Sequence, residues 1–359
     1  MKISTILALL VVLVLTVIFN KQESASPVLP LSNHLPLPSS ALYLENTLPP
    51  AAMSVPSVSP IQSPHEADTE LNTFVGGLPD TVKANILWYC DYEDNTFYKW
   101  EGEGTDTPYA GGGIFITDED NTEYGIQNSI AYSGKLSAYA TIKNALTPGE
   151  NKAVRFMRWT DKPWDKEGEY FPDQAYYSTF FLLQNSYNPQ KDPNNDPNGD
   201  GGWWNVFQFK SKNHAGSQPL VTLDLYNESG KMVFGLVIKD YPNDNSSSYN
   251  FQYIIQNDPL EINPDVWNHI EAYYEKSNDY TGKVIFWLNG VKIFEKNNIR
   301  TVLPADETAV WGIGNYTDYI NGGETPGTAT IYFDDAMVST VRIGEYLHRF
   351  RVFSPFVIR

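Results

Sequence analysis

Three short stretches of this chain hold residues whose types and spacing suit chemistry on an acidic sugar. In WWNVFQFKSK, residues 203–212, strand alternation sends Phe207 and Phe209 to one face and Trp204, Gln208, Lys210 and Lys212 to the other. An indole can stack on a sugar ring, while an amide and two ammonium groups bind its carboxylate. An ordinary solvent-facing strand is the plain alternative. In WGIGNYTDY, residues 311–319, Gly312 and Gly314 share a face with Tyr316 and leave open surface beside it. A tyrosine hydroxyl so exposed can serve as acid or base, whereas a core tyrosine would only satisfy a local hydrogen bond. In AVRFMRW, residues 153–159, Val154 and Phe156 facing the core would turn Arg155, Met157 and Trp159 outward. Arg155 would add a two-point carboxylate binder and Trp159 a second stacking ring. Arg158 then lies on the opposite face or at the rim; a slip of one residue would exchange the two, so both stand as candidates.

A fourth motif has different chemistry. In KDPNNDPNGDGG, residues 191–202, Asp192, Asn194, Asp196, Asn198 and Asp200 recur at every second position. Such hard oxygen ligands resemble the start of a calcium loop, although the closing bidentate glutamate is missing. A hydrophilic insertion is the alternative. Calcium there would brace the segment that leads into Trp203; no cofactor is required for the sugar chemistry itself. Two histidines, His214 and His269, are spare candidates, and His214 is the better placed, just beyond the cationic strand.

These residues need strands to position them. The sequence predicts strands at 136–142, 153–159, 176–184, 203–212, 220–226, 232–239, 251–255, 267–275, 283–288, 291–296, 309–316 and 328–339. Asn289-Gly290 between two of them is a two-residue hairpin signal. No helix longer than two turns is expected. That pattern predicts an all-β, two-sheet antiparallel jelly-roll sandwich over residues 81–342, with a basic, apolar tail at 343–359.

The chain of 359 residues carries 43 acidic and 25 basic side chains, a net charge of −18. This argues against general nucleic-acid binding, which needs a basic footprint. A polyanionic substrate would therefore need a local cationic site within an acidic shell. Cys90 is the single cysteine, so no intrachain disulfide forms. Lys2 precedes an apolar run from Ile6 to Phe19, which predicts export through a signal peptide or retention as a membrane anchor within residues 1–24. Residues 25–80 are rich in Pro and Ser and read as an extended linker. A secreted or cell-surface protein is expected.

The order of an Arg-bearing strand, W-x-x-x-Q-F-K, G-x-Y and a closing I-Y-F-D-D strand resembles the heparin lyase I-like and glucuronan lyase-like polysaccharide lyases. These share a concanavalin A-like jelly roll with alginate lyases. YYSTFFLLQ, WNVFQFK, WNHIEAYY, GKVIFWLNG and IYFDD occur in the family's order between about residues 85 and 342. The resemblance implies binding of an acidic, uronate-containing polysaccharide and its cleavage by β-elimination. It implies that Tyr316 is the family tyrosine, Gln208 the family glutamine, and Arg155 or Arg158 the upstream arginine. Lys210 stands where many relatives have histidine. It can act as base only if its pKa is lowered, for instance by Lys212; otherwise Tyr316 does both jobs, or a non-catalytic binding surface remains. Retaining glycosidases of this fold use alternating carboxylates on one strand, whereas Asp334 and Asp335 are adjacent and expected to face opposite ways.

Overall fold

The computed structural model describes residues 74–101, 112–147, 149–159, 172–189, 203–211, 219–240, 250–303 and 309–351. The chain divides into two units, Met1–Ile61 and Gln62–Arg359, and every described residue belongs to the second. The apolar N-terminal run, most of the Pro/Ser-rich segment and the loop carrying Asp192 to Asp200 lie outside the described residues.

Among the described residues fifteen strands form: β1 (Ile86–Cys90), β2 (Gly112–Thr117), β3 (Thr122–Gln127), β4 (Ser137–Ile142), β5 (Lys152–Trp159), β6 (Gln174–Leu183), β7 (Trp204–Ser211) and β8 (Leu220–Glu228). Then follow β9 (Lys231–Asp240), β10 (Asn250–Ile254), β11 (Asn268–Glu275), β12 (Gly282–Leu288), β13 (Val291–Ile299), β14 (Ala309–Thr317) and β15 (Ala329–Ser339). The helices are short: α1 (Asp80–Lys83), α2 (Tyr98–Glu101) and α3 (Gly344–Arg351). Seven strands form one sheet in the order β10-β9-β8-β7-β14-β5-β2. The other eight form a second sheet, β13-β12-β11-β6-β15-β4-β3, with β1 added against β15. Every pairing is antiparallel, which gives the expected jelly-roll sandwich.

Period-two patterning explains the layers. Along β14, Trp311 and Ile313 are buried in the core, while Gly312, Gly314 and Tyr316 take the alternate positions. Val154 and Phe156 of β5 enter the same core, as do Phe207 and Phe209 of β7. Asn315 also faces inward and ties the sheets together. Its amide donates to Ala140 O at 3.1 Å and Ala329 O at 3.0 Å, both on the eight-stranded sheet. The Asn289-Gly290 turn closes the β12–β13 hairpin with both φ angles positive, 51° and 81°, as a type I′ turn requires. β1, β2 and β3 exceed the twelve expected strands. β2 and β3 are edge strands whose sequences, GGIFIT and TEYGIQ, lack a sustained alternation.

Packing runs past both expected domain limits. Leu78 and Val82 pack with Met337 and Ile343, with Phe74, Val75 and Leu347 against them. Glu271, fully buried on β11, accepts from Ile343 N at 2.7 Å, Gly344 N at 3.1 Å and Arg342 Nε at 3.1 Å. That carboxylate seats the start of the C-terminal tail on the eight-stranded sheet.

Candidate active site

The outer face of the seven-stranded sheet gathers the predicted chemistry at its centre. Antiparallel register sets Gly312 between Met157 and Gln208, and Gly314 opposite Arg155. The missing Cβ atoms are what let the neighbours lean across. A Cβ at Gly314 would lie 2.2 Å from Val154 O and 3.0 Å from Arg155 Cγ; one at Gly312 would lie 3.4 Å from Gln208 Nε2. The surface expected to be open beside Tyr316 is thus occupied by Arg155 and Gln208. Arg155 Nη1 donates to Gln208 Oε1 at 2.9 Å. The Arg155 guanidinium lies 4.5 Å from the Tyr316 ring centre and 4.6 Å from that of Phe115.

The cluster has donors to spare. Arg155 Nε and Gln208 Nε2 are buried with no hydrogen-bond partner among the described residues. Buried donors without acceptors are costly, so an arrangement like this is what an anionic ligand would complete. Burial holds the Arg155 guanidinium below its ordinary range, with Tyr316 opposing. Burial first, and the Arg155 charge second, bring the Lys210 ammonium down to about 8. A large fraction of Lys210 is therefore neutral in mildly alkaline solution, as a general base must be. Tyr316 is pushed up by burial, drawn back by Arg155, and raised again by Asp318 and Asp224. It is a protonated phenol under the same conditions, suited to give a proton away.

Other predicted residues are placed differently. Trp204 does not join the outer face: it is 1% exposed, packs in the core and donates from Nε1 to Asn315 Oδ1 at 2.8 Å. The cause is a β-bulge. Between Asn205 and Phe207, β7 carries one residue more than β8, and the β14–β7 register shifts between Ile313 and Tyr316. Trp204, Val206, Phe207 and Phe209 all face inward as a result. Arg158 is likewise no ligand residue of this face. It is buried, donates to Lys99 O at 2.9 Å and lies 5.8 Å from the Trp88 ring centre, and burial lowers it to about 10. Trp159 ends β5 opposite Val310. Lys212, His214, Asp192, Asn194, Asp196, Asn198 and Asp200 lie outside the described residues. His269 is buried in the other sheet, its ring 4.7 Å from that of Phe180.

Asp334 and Asp335 sit in the eight-stranded sheet, where a bulge and the positive φ of Asp335 (46°) break strand alternation. Both are fully buried. Asp334 accepts from Tyr132 N at 2.8 Å, and Asp335 accepts from the Tyr89 hydroxyl. Burial raises both carboxyls; the Asp335 charge adds to the rise at Asp334, and those of Asp91 and Glu93 to the rise at Asp335. Neither belongs to the outer-face site.

Further residues belong to the outer face without a local signal in the sequence. The bulge that buries Trp204 brings Trp203 edge-on to Tyr316, ring centres 4.2 Å apart. Phe115, 38% exposed on the edge strand β2, supplies an accessible ring beside Arg155. Asn205 stands opposite Tyr316 and is itself paired with Asp224 of β8. Asp224 had no local signal: TLDLY reads as a strand with one solvent-facing acid.

No curated protein matches the chain. Similar solved structures include an endo-β-1,4-glucuronan lyase from the fungus Trichoderma reesei, at 16% identity and TM-score 0.47, covering 71% of this chain and 96% of that one. The alginate lyase Aly36B, a double mutant with an alginate trisaccharide, is similar at 13% identity and TM-score 0.38, covering 71% and 98%. A marine PL-14 alginate lyase from Aplysia kurodai is similar at 11% identity and TM-score 0.38, covering 71% and 99%. The sequence profile of the family described as polysaccharide lyase matches residues 93–337, more than half of the chain, and the chain belongs to that family.

Proposed function

We propose that this protein is an exported lyase that cleaves a uronate-containing polysaccharide by β-elimination on the outer face of the seven-stranded sheet. One observation carries the reading. Arg155 and Gln208 form a buried donor pair with unsatisfied N–H groups, flanked by Lys210 and Tyr316. A uronate carboxylate supplies the missing acceptor, and its bound form favours removal of the adjacent C5 proton, because the enolate-like charge develops on the same oxygens.

Lys210, as the neutral amine, takes the C5 proton. The C5–H electron pair forms the C4=C5 double bond as the C4–O bond breaks. The Tyr316 hydroxyl protonates the departing glycosidic oxygen. Phe115 and Trp203 offer the rings on which neighbouring sugars stack. The lysine in the usual histidine position is compatible with this chemistry because burial and Arg155 already lower it.

The test is incubation of the full chain with glucuronan, alginate and heparin-like chains while following the ultraviolet absorbance of the new double bond. Absorbance should rise with at least one polymer, and Tyr316→Phe should slow it by about 100-fold or more. Gel retardation by a polymer with no rise in absorbance would leave a binding protein and overturn the lyase. Unchanged turnover in the Tyr316→Phe variant would overturn the role given to that residue.

A further inference from the structure

Arg155 is held by more than its bond to Gln208. In the seven-stranded sheet β5 lies between β14 and β2, and each of these strands brings one ring to the guanidinium. The ring centre of Tyr316, on β14, is 4.5 Å from the guanidinium carbon, and that of Phe115, on β2, is 4.6 Å from it. The two rings have unequal support. Trp203 backs Tyr316 at 4.2 Å, and β14 is paired on both sides, with β5 and with β7. Phe115 stands directly opposite Arg155 on an edge strand that pairs with β5 alone among the described strands. Ile114 and Ile116 pack against the core, whereas Phe115 between them belongs to neither apolar cluster and stays 38% exposed. The fold does not need an aromatic ring there; Arg155 does.

The reason lies in how a guanidinium is bound. A ring face attracts the cation through its quadrupole and takes up none of its N–H groups. Stacking therefore leaves the in-plane donors to acceptors. Nη1 donates to Gln208 Oε1 at 2.9 Å, and Nε is buried with no hydrogen-bond partner among the described residues. Two-point binding of a carboxylate needs that plane to be aimed, and a long side chain has much rotamer freedom to lose. An arginine already held between two rings loses less of it when a carboxylate arrives.

We propose that Phe115 is a positioning residue: stacked on Arg155 from β2, as Tyr316 is from β14, it aims the in-plane donors of the guanidinium at the substrate carboxylate. The role needs the ring and not merely apolar bulk. The inference rests on the lyase reading, in which Arg155 binds the carboxylate where charge develops. It is separable from sugar stacking on the exposed part of the same ring. Stacking holds substrate and transition state alike and appears in KM, whereas the aim of Arg155 counts most as charge develops and appears in kcat.

The experiment compares kcat and KM of the full chain, on the polymer that it cleaves, for Phe115→Tyr, Phe115→Leu and Phe115→Met. The first keeps a ring, and the other two keep apolar volume without one. Phe115→Tyr should hold kcat within about two-fold, while Phe115→Leu and Phe115→Met should each lower it by about ten-fold, all with an unmoved melting temperature. Wild-type kcat in the two ring-less variants overturns the proposal. So does a rise in KM alone, which makes Phe115 a platform for sugar and nothing more. A Phe115→Tyr variant as slow as the other two also overturns it, because the ring is still present. Ring-less variants that fail to fold overturn it as well, since the ring would then serve the fold. Any of these outcomes in a chain whose wild type is active leaves the lyase reading standing. A wild-type chain that yields no unsaturated product with any polymer overturns that reading and this inference together.

Discussion

At the scale of single residues, the proposed chemistry turns on Lys210. A lysine in water is protonated at neutral pH and cannot take a proton from carbon. Here its own burial and the Arg155 guanidinium bring it to about 8, while Arg155 also binds Gln208 and faces Tyr316. In the proposed reaction one arginine would therefore prepare the base, bind the carboxylate and stabilise the phenolate left by Tyr316. The sign of the pH dependence follows: activity rises with pH as Lys210 loses its proton. Lys210→His substitutes a group with a lower intrinsic pKa of about 6.5, so the acid limb of kcat should move down by about one unit or more. An unmoved limb would show that another group takes the proton.

At the scale of elements, two devices shape the face. The first is the bulge in β7, which exchanges the positions of Trp203 and Trp204 relative to an unbroken strand. The second is the pair of glycines in β14, and they are not equivalent. At Gly314 a Cβ would collide with the backbone of β5, 2.2 Å from Val154 O. At Gly312 it would meet only flexible side chains, Met157 Cγ at 3.3 Å and Gln208 Cγ at 3.4 Å. Gly314→Ala should then cost about 2 kcal/mol or more, because β5 must shift, while Gly312→Ala should cost less than about 1 kcal/mol. Urea denaturation of the two variants measures the difference; equal losses would mean that the strands adjust freely.

At the scale of the whole molecule, the sandwich is closed by buried polar ties as well as by its aromatic core. Asn315 joins the two sheets through backbone carbonyls. Arg300 of the chain after β13 pairs with Asp240 of β9 at 2.8 Å, again across the sheets. Glu271 gathers Arg342, Ile343 N and Gly344 N and so fixes the tail. Glu271→Ala strands two backbone donors and the Arg342 charge, and should destabilise the domain by about 3 kcal/mol. Chemical denaturation gives the loss, and faster proteolysis near residue 343 should accompany it. A fully stable variant with an intact tail would show that apolar packing alone seats this segment.

How much could be read beforehand differs by level. Period-two patterning and the Asn289-Gly290 turn sufficed for an antiparallel sandwich, because side-chain alternation is a property of the strand itself. The alternation in β5 and β14 likewise turned Arg155 and Tyr316 to one side, and Gln208 followed from β7. A bulge breaks that alternation. Trp204 would face outward only in an unbroken strand, and an extra residue in one strand is defined only by its partner. Residue type alone does not reveal that the Arg158 guanidinium meets Lys99 O.

By itself, then, the sequence determined the layered all-β architecture, the G-x-G-x-Y and Q-x-K strands, and an acidic chain with a locally basic face. Local periodicity and composition carry that information along the chain. Only the tertiary structure decided that Trp203 rather than Trp204 meets Tyr316, that Arg155 lies close enough for its charge to act on Lys210, and that Asp224 stands behind Asn205. Those outcomes depend on register between strands far apart in sequence and on burial. Both arise only when the two sheets close on their core.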